Sequence, residues 1–397
     1  MGGDLSKGTR RGRKVARPVK VLMQNRFDMF DTGYGDRVHF LNLYQHLKKL
    51  GVDVDYSLEL TPDVSGYDLI HLFNISRSDT YFQMQHAKKF NKNVVLTPIN
   101  ISVKLVADLA QRQGCGAGDR LAALVKKNRL MREMALAIKF RRPAHRRVKS
   151  LEYDTNKLFN AQKQILQNID YMCPGSAAEA RIIQESFGLL PPYKVVHVGI
   201  DNFFTLATPD VFLSKYGFSD FVLCVGLVSP LKNQLALIKA LQGSGLKLVI
   251  AGAFGKPATY IRKCRDAAQQ GDVVFLGHVD RALLASAYAA AKVHVLPSFS
   301  ETTGRATFEA ALAGATIVVS DIPVHREYCR DFVEYCDPLA IDSIRSAILK
   351  AFAKSRTPDF AAFIQKNYSW EKMAHTVAGV YEKVLSKKLA LSKVGVM

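Results

Sequence analysis

The stretch that decides the fold is Ser298–Asp321, with the sequence SFSETTGRATFEAALAGATIVVSD. The apolar run Val293–Leu296 precedes it and is typical of a short buried strand. Small and apolar residues from Ala306 predict a helix that ends at Gly314, and residues 315–320 predict a second strand. Strand, loop, helix and strand in this order form the unit of a parallel sheet, so the stretch predicts an α/β fold.

The loop of this unit carries the candidate ligand-binding residues. Glu301 follows the first strand, where open α/β sheets bind ligands, and Glu309 lies on the first turns of the helix. The turn between them presents backbone N–H groups at a helix N-terminus, which favours an anion such as a diphosphate. Its four residues are Thr302, Thr303, Gly304 and Arg305. A nucleotide sugar has both the hydroxyl and the phosphate groups for such a site. The alternative is a pair of solvated glutamates beside an ordinary helix.

The two glutamates, in the setting PSFSETTGRATFEAALAGATIVVSD, resemble the signature of the retaining glycosyltransferases of family 4. The resemblance implies the GT-B fold, in which two Rossmann-like parallel-sheet domains face each other across a cleft. It implies transfer of a sugar from a UDP-, GDP- or ADP-sugar to a glycan, lipid-linked or other acceptor, with no cofactor and no metal ion. Glu301 would then orient the donor sugar, and Glu309 would bind the ribose hydroxyls.

A second predicted phosphate site follows the strand predicted at 221–225. The segment GLVSPLKN resembles the family pattern G-R-x-x-x-x-K-N, in which the basic residues hold the donor pyrophosphate. Lys232 and Asn233 match this pattern, and Lys232 would stabilise the departing diphosphate. Gly226 and Ser229 belong to the same loop and are further donor-binding candidates.

Leu227 departs from this pattern, because the family has an arginine at its position. A lysine contacts phosphate as a point charge, whereas an arginine offers a bidentate fork. Arg305 in the glutamate loop is the candidate that would replace the missing arginine. Further along, the turn Gly277–Val279 resembles the family's backbone contact to the nucleobase, so Val279 is expected to line the base pocket.

The first half of the chain supplies a glycine turn and two acceptor-side candidates. Gly33 and Gly35 lie between the strand predicted at 19–24 and the helix predicted at 38–50, where they would let the backbone approach the donor diphosphate. His71 lies in the apolar run 68–74, where a core histidine is the alternative to a ligand. Asn100 stands in a loop that carries a histidine in many relatives of the family.

The net charge of +20 is concentrated in two segments. Residues 1–20 contribute +6 and residues 104–149 contribute +10. The second segment also has apolar residues at helical spacing, so residues 104–150 predict basic amphipathic helix that could lie on an anionic membrane surface. A packed helix with a solvated basic face is the alternative. A nucleic-acid partner is disfavoured, because no RNP, helix-turn-helix or zinc pattern is present.

These features predict four parts in the chain. They are a basic tail at 1–18, an acceptor domain at 19–198, a nucleotide-sugar domain at 199–369 and a C-terminal helix at 370–397 that crosses back to the first domain. No apolar run is long enough to span a bilayer, and the N-terminus lacks a secretory signal. The six cysteines lack metal-binding spacing and indicate free thiols. We therefore expect a cytoplasmic protein, for which the two basic segments make the inner face of a membrane a candidate surface.

Three other functions stay open from the sequence. Leu227 and the missing histidine near Asn100 are compatible with a degenerate GT-B protein that binds a nucleotide sugar without transferring it. An epimerase or a hydrolase can share the fold, although the glutamate pair argues against the epimerase. The positive charge alone is compatible with a basic nucleic-acid-binding protein.

Overall fold

The computed structural model describes residues 19–31, 35–112 and 128–394, and its first half contains a five-stranded parallel sheet. The strand order is β2-β1-β3-β4-β5. The strands are β1 (Lys20–Gln24), β2 (Asp53–Ser57), β3 (Leu69–Phe73), β4 (Asn93–Thr97) and β5 (Tyr171–Met172). Every residue of β3 and β4 is buried, as expected for the central strands of a parallel sheet that is covered on both faces.

The second half contains a six-stranded sheet with the order β11-β10-β9-β6-β7-β8, again with parallel pairing. The strands are β6 (Val222–Val225), β7 (Leu248–Ala251), β8 (Val273–Gly277), β9 (Val293–Leu296), β10 (Thr316–Ser320) and β11 (Glu334–Cys336). Strands β6 and β9 are neighbours at the centre of the sheet, with Leu223 opposite His294. The loops that follow these two strands therefore meet at the same edge.

Helices cover the faces of both sheets. Those of the first half are α1 (Gly35–Lys49), α2 (Ser78–Lys89), α3 (Val103–Arg112), α4 (Arg129–Lys139), α5 (Pro143–Glu152), α6 (Thr155–Asn168) and α7 (Ala177–Phe187). Those of the second half are α8 (Asp210–Tyr216), α9 (Gln234–Leu241), α10 (Ala258–Ala268), α11 (Arg281–Ala290), α12 (Arg305–Leu312), α13 (Pro323–Cys329), α14 (Ile341–Ala353) and α15 (Asp359–Asn367). The last helix is α16 (Trp370–Val394), and short 3₁₀ turns cover Asn202–Leu206 and Pro230–Lys232.

The basic segment predicted at 104–150 is not one continuous helix. Its described residues form α3, α4 and part of α5, and residues 113–127 lie outside the description. The break between α4 and α5 follows from Pro143, which cannot donate to a preceding turn and which instead occupies the first position of α5. Among the described helices, none combines the length and the apolar character that crossing a bilayer requires.

The helix α16 packs on the first domain, although it follows the second domain in sequence. Trp370 lies against Gly199, where an added Cβ would come within 2.4 Å of the indole, so only glycine fits. The hydroxyl of Tyr381 bonds to His71 in β3, and Lys383 Nζ donates to the hydroxyl of Tyr171 at 3.1 Å. The contacts of Tyr381 and Lys383 hold this helix on the first sheet.

A polar contact joins the two domains at the N-terminus of α7. The Glu327 carboxylate on α13 accepts the backbone N–H groups of Ala177 and Ala178, both at 2.8 Å. The neighbouring Tyr328 hydroxyl donates to the carbonyl oxygen of Gly175. A carboxylate at a helix N-terminus is favourable because the first N–H groups lack partners within the helix. This contact sets the turn after β5 against the second domain.

Candidate functional site

The glutamate loop begins directly at the carboxyl end of β9, which coincides with the predicted strand. The helix α12 begins at Arg305, one residue before the predicted start. Gly304 precedes it with a φ of +73°, a left-handed conformation that favours glycine. An added Cβ at Gly304 would lie 3.1 Å from His325 Nε2 and 3.3 Å from Leu296 Cδ2. The backbone conformation therefore favours glycine at this turn, and the space for a side chain is tight.

Lys232 and Glu301 form an ion pair between the loops after β6 and β9. The two loops are also joined through the backbone, because the Phe299 N–H donates to the Leu231 carbonyl at 2.9 Å. Burial of the Glu301 carboxyl opposes its ionisation, but the nearby Lys232 and His325 outweigh this effect, so the pKa of Glu301 is lowered. Glu301 is thus held as a carboxylate at the edge of the sheet.

Glu309 accepts a hydrogen bond at each of its carboxylate oxygens. Arg305 Nη2 donates to Oε1 at 2.9 Å, and the hydroxyl of the buried Tyr288 donates to Oε2 at 3.2 Å. Arg305 and Glu309 are four residues apart on α12, a spacing at which side chains on a helix meet. The carboxylate of Glu309 is therefore oriented from two sides, by α11 and by its own helix.

Arg305 also connects the glutamate loop to the glycine turn of the first domain. Its Nη1 donates to the carbonyl oxygen of Gly35 at 3.3 Å. Gly35 is the first residue of α1, which begins three residues earlier than the predicted start, so this glycine belongs to the helix. Gly33 lies outside the described residues. The described part of the predicted glycine turn thus faces the predicted donor site.

Three residues of the loop after β6 lie beside Lys232. Gly226 has a φ of +152°, and an added Cβ there would lie 3.7 Å from Lys232 Cε. The N–H of Ser229 donates to the Gln234 side chain at 3.2 Å. Asn233 adopts a left-handed conformation with a φ of +58°, and its side chain donates to the Pro338 carbonyl at 2.7 Å. The structure thus brings Gly226, Ser229 and Asn233 together with the Lys232–Glu301 pair.

Leu227 provides apolar contact in this loop and no charge. Its side chain lies against Gly255, where an added Cβ would come within 3.1 Å of it. Its carbonyl oxygen accepts from the Gln234 amide at 3.0 Å.

The remaining donor-side candidates lie in the glutamate loop and in the turn after β8. Thr302 and Thr303 are in the glutamate loop, where Thr303 is buried and Thr302 is half-buried. Val279 is half-buried between β8 and α11, and Asp280 after it caps α11 by accepting the Leu283 N–H at 2.8 Å.

His71 is not placed for contact with an acceptor, which corrects its proposed role. It is fully buried in β3, with Nδ1 bonded to the Tyr381 hydroxyl at 2.7 Å and Nε2 to the Thr97 hydroxyl at 2.9 Å. Burial lowers the pKa of His71 to about 3, so the ring is neutral. Both ring nitrogens are satisfied, and His71 links the first sheet to α16.

Asn100 lies in the loop after β4 and is tied to a carboxylate that the sequence analysis did not single out. Its backbone N–H donates to Glu179 Oε1 at 2.6 Å, and the Gly175 N–H donates to Oε2 at 2.7 Å. Burial raises the pKa of Glu179 to about 7, against the opposing effect of these two N–H groups. Ser176 and Glu179 have the spacing of a capping box, which predicts a helix start but not this link between two loops.

The sequence also did not reveal a network of charged side chains beside the glycine turn. Arg26 is buried, and it donates to Asp36 Oδ2 at 2.8 Å and to Asp28 Oδ1 at 2.7 Å. Asp28 also pairs with Arg77 and with Lys149 of α5. Burial opposes ionisation of Asp28, but Arg77, Arg26 and Lys149 together lower its pKa to about 2. The network ties the basic segment to the start of α1.

His325 is another residue that the sequence did not reveal. It is fully buried, and its Nδ1 lies 2.9 Å from the Ser320 carbonyl oxygen. A neutral ring therefore carries its proton on Nδ1 and leaves Nε2 as an acceptor. Within the described residues Nε2 has no hydrogen-bond partner, and it points towards Gly304. An unpaired buried nitrogen beneath the predicted ligand-binding turn is a feature that packing alone does not explain.

A cavity of about 960 Å³ lies at the amino ends of β4 and β5, away from the carboxyl edge of the second sheet that carries the glutamate loop. Its walls include Lys88, Asp170, Tyr171 and Lys383. In open α/β sheets the ligand-binding edge is the carboxyl one, so we place the functional site at the glutamate loop.

In a comparison with known sequences, the model of the family Glycosyl transferases group 1 matches residues 212–370. The O-antigen chain mannosyltransferase B of Escherichia coli is 26% identical over 183 residues, which are 43% of this chain and 48% of that protein. The D-inositol 3-phosphate glycosyltransferase of Xylanimonas cellulosilytica is 26% identical over 253 residues, which are 58% of this chain and 60% of that protein. The chain spans between 32% and 60% of the length of its four curated relatives.

Comparison with solved structures concerns the fold of nearly the whole chain. The sucrose-phosphate synthase of Thermosynechococcus elongatus superimposes with a TM-score of 0.69 at 15% identity, over 93% of this chain and 100% of that chain. An Anabaena protein solved in complex with UDP and glucose superimposes with a TM-score of 0.63 at 14% identity, over 92% of this chain and 99% of that chain. The prediction of a GT-B fold with two Rossmann-like domains is thereby confirmed.

Proposed function

We propose that this chain is a retaining glycosyltransferase that moves a sugar from a nucleotide sugar to a glycan, lipid-linked or other acceptor, without a metal ion. The observation that carries the proposal is the pair of carboxylates, Glu301 and Glu309, each with its own cation at the carboxyl edge of the second sheet. The family of residues 212–370 supports glycosyl transfer as the reaction class. The resemblance of the glutamate loop to the family 4 signature supports membership of that family as part of the proposal.

Each group has a role in this proposal. Glu301 accepts hydrogen bonds from the donor sugar and fixes its pose, because its lowered pKa keeps it ionised. Lys232 stabilises the negative charge that develops on the departing diphosphate. Glu309 accepts from the ribose hydroxyls, and Val279 lines the base pocket. The leaving phosphate takes the acceptor proton, so no separate base is required.

The experiment that tests this proposal is a transfer assay. The purified chain is incubated with UDP-, GDP- and ADP-sugars and a panel of simple sugar acceptors, and the anomeric configuration of the product is read by NMR. We expect release of one nucleoside diphosphate and a product that retains the configuration of the donor. An inverted product would contradict the retaining mechanism. Binding of a nucleotide sugar without turnover would favour the degenerate binding protein.

We also propose that the basic segment attaches the protein to an anionic membrane surface on the cytoplasmic side. Along α4, Met131, Met134 and Ile138 are exposed at helical spacing, and Ile138 is 86% exposed. Arg141 and Arg142 follow at the end of this helix. Exposed apolar residues flanked by arginines are typical of a helix that lies on anionic lipid. The tail at 1–18 would add charge to the same surface.

The membrane proposal predicts that Ile138→Asp lowers sedimentation with liposomes that contain anionic lipid severalfold, because an exposed apolar contact becomes a negative charge. Leu206→Asp is the matched control, since Leu206 is 83% exposed in the second domain. Deletion of residues 1–18 is expected to reduce attachment without a change in nucleotide affinity. Equal attachment of Ile138→Asp and the wild type would refute the role of α4.

A further inference from the structure

Arg305 contacts both domains from the first turn of α12. Its guanidinium donates to Glu309 Oε1 at 2.9 Å and to the Gly35 carbonyl oxygen at 3.3 Å. The side chain is 23% exposed, so part of the guanidinium faces solvent between the domains. The contact with Gly35 is a weak hydrogen bond at this distance. Arg305 is therefore held chiefly by Glu309, at a position that a ligand between the domains can reach.

The four charged groups of the site are paired with one another. Lys232 pairs with Glu301, and Arg305 pairs with Glu309. A nucleotide sugar brings a diphosphate, which needs cations, and it brings sugar and ribose hydroxyls, which donate to carboxylates. If both pairs stayed intact, the diphosphate would meet cations whose charge is already compensated. Donor binding is most favourable when an internal ion pair is exchanged for contacts with the donor.

Arg305 is better placed for such an exchange than Lys232. Lys232 reaches Glu301 across two loops that are joined by a backbone bond from the Phe299 N–H to the Leu231 carbonyl oxygen, so this pair is part of the contact between those loops. Arg305 reaches Glu309 along its own helix, so its long side chain can turn without any movement of the backbone. Its planar fork suits bidentate contact with phosphate oxygens, and Leu227 in the facing loop carries no charge.

We propose that Arg305 is an exchangeable cation, which pairs with Glu309 until the ribose hydroxyls of the donor take that carboxylate and which then turns to the diphosphate. This inference rests on the proposed nucleotide-sugar activity and deepens it. It makes recognition of the ribose and of the diphosphate interdependent through one side chain. It also makes the contact with Gly35 one that the donor breaks, so that donor binding alters a link between the two domains.

The test compares a nucleoside with its diphosphate, using whichever of uridine, guanosine and adenosine the wild type prefers. Calorimetry measures both affinities for the wild type, Arg305→Leu and the double variant Leu227→Arg/Arg305→Leu. Arg305→Leu is expected to lower the affinity for the nucleoside diphosphate about tenfold, because a charge-assisted contact is lost. It is expected to leave the nucleoside affinity equal or higher, because Glu309 is no longer occupied by Arg305. The double variant is expected to recover most of the diphosphate affinity.

Two controls keep the result specific. Arg326→Leu removes an exposed arginine of α13 that pairs with Asp321 in the loop after β10, and it is expected to change neither affinity by more than about twofold. Arg305→Lys keeps the positive charge but lacks the planar fork of the guanidinium, and it is expected to lower the affinity for the diphosphate severalfold. It provides the test if Arg305→Leu does not fold.

Two results would overturn the inference while the proposed function stands. One is an unchanged affinity of Arg305→Leu for the diphosphate. The other is an equal loss for nucleoside and diphosphate, which would mean that Arg305 only orients Glu309. Failure of the wild type to bind any of the three diphosphates would overturn the proposed function and this inference with it.

Discussion

Glu179 in the first domain and Glu301 in the second are both carboxyl groups with little exposure to solvent, at loops near the boundary between the domains. Burial raises the pKa of each, yet the net shifts of the two pKa values have opposite directions. Glu301 has Lys232 and His325 nearby, and its pKa is lowered. Glu179 accepts only backbone N–H groups from Asn100 and Gly175, and its pKa is raised to about 7. A neighbouring cation therefore decides whether a buried carboxyl group stays ionised.

The difference separates the proposed donor side, where the Glu301 charge is fixed, from the proposed acceptor side, where the Glu179 charge varies with pH. On the donor side, the Glu301 carboxylate persists over the physiological range and can orient hydroxyl groups. On the acceptor side, Glu179 joins the loops after β4 and β5, and its ionisation changes near neutral pH. Environments that set two carboxyl groups apart in this way are typical of enzyme sites.

The largest expected effect comes from removal of the carboxylate on the donor side. Glu301→Ala should lower kcat by about 10²-fold, because the donor sugar loses its orientation, with a much smaller change in nucleotide affinity. Steady-state transfer kinetics and calorimetry on the same preparation measure the two effects. Glu371→Ala, at an exposed position of α16, is the control. Transfer at the wild-type rate in Glu301→Ala would show that the site is assigned wrongly.

A smaller effect is expected on the pH dependence of stability. Because the pKa of Glu179 is raised from 4.5 to about 7 on folding, its contribution is fully present below pH 4.5 and is lost as the pH rises through 7. The wild type should lose about 1–3 kcal/mol of unfolding free energy from this group over that range. Glu179→Gln should remove this part of the slope, as measured by urea unfolding at several pH values.

The control for this measurement is Glu185→Gln, which changes an exposed glutamate on the same helix. Its slope is expected to match that of the wild type. The comparison between Glu179 and Glu301 would fail if Glu179→Gln kept the wild-type slope as well.

The smallest effect comes from a buried polar pair without charge, which gives a baseline for the comparison. Tyr381→Phe removes the hydroxyl that bonds to His71 Nδ1 and should cost about 1–2 kcal/mol of unfolding free energy. The transfer rate should not change, because His71 lies in the core and not at the acceptor. Denaturation curves and transfer rates check both parts. A slower rate at unchanged stability would return His71 to the acceptor-side candidates.

The unit from β9 to β10 could be predicted from the sequence because its information is local. A buried apolar run, a glycine turn and an alanine-rich helix follow one another within Val293–Ser320, and the structure places β9 at the predicted residues. The glutamates of this unit also lie where the strand–loop–helix order predicts, at the carboxyl edge of the sheet.

The acceptor side could not be predicted because its contacts join distant parts of the chain. His71 is satisfied by Tyr381, which lies 310 residues away, and Glu179 accepts from Asn100, which lies 79 residues away. Asp28 pairs with Lys149 over 121 residues. A single sequence shows the residue types at these positions but not their partners. The same limit applies to Arg305, whose contact with Gly35 becomes visible only when both domains are in place.

Nucleotide binding at Glu309 is the property on which the proposed function depends most directly. A thermal-shift screen of the wild type against UDP, GDP, ADP and their sugar conjugates should be run beside Glu309→Ala. A ligand at about a hundred times its dissociation constant adds about 2.7 kcal/mol of stability. We predict that one nucleotide and its conjugate stabilise the wild type and that this shift is lost in Glu309→Ala. Equal shifts in both proteins, or no shift in the wild type, would contradict the account.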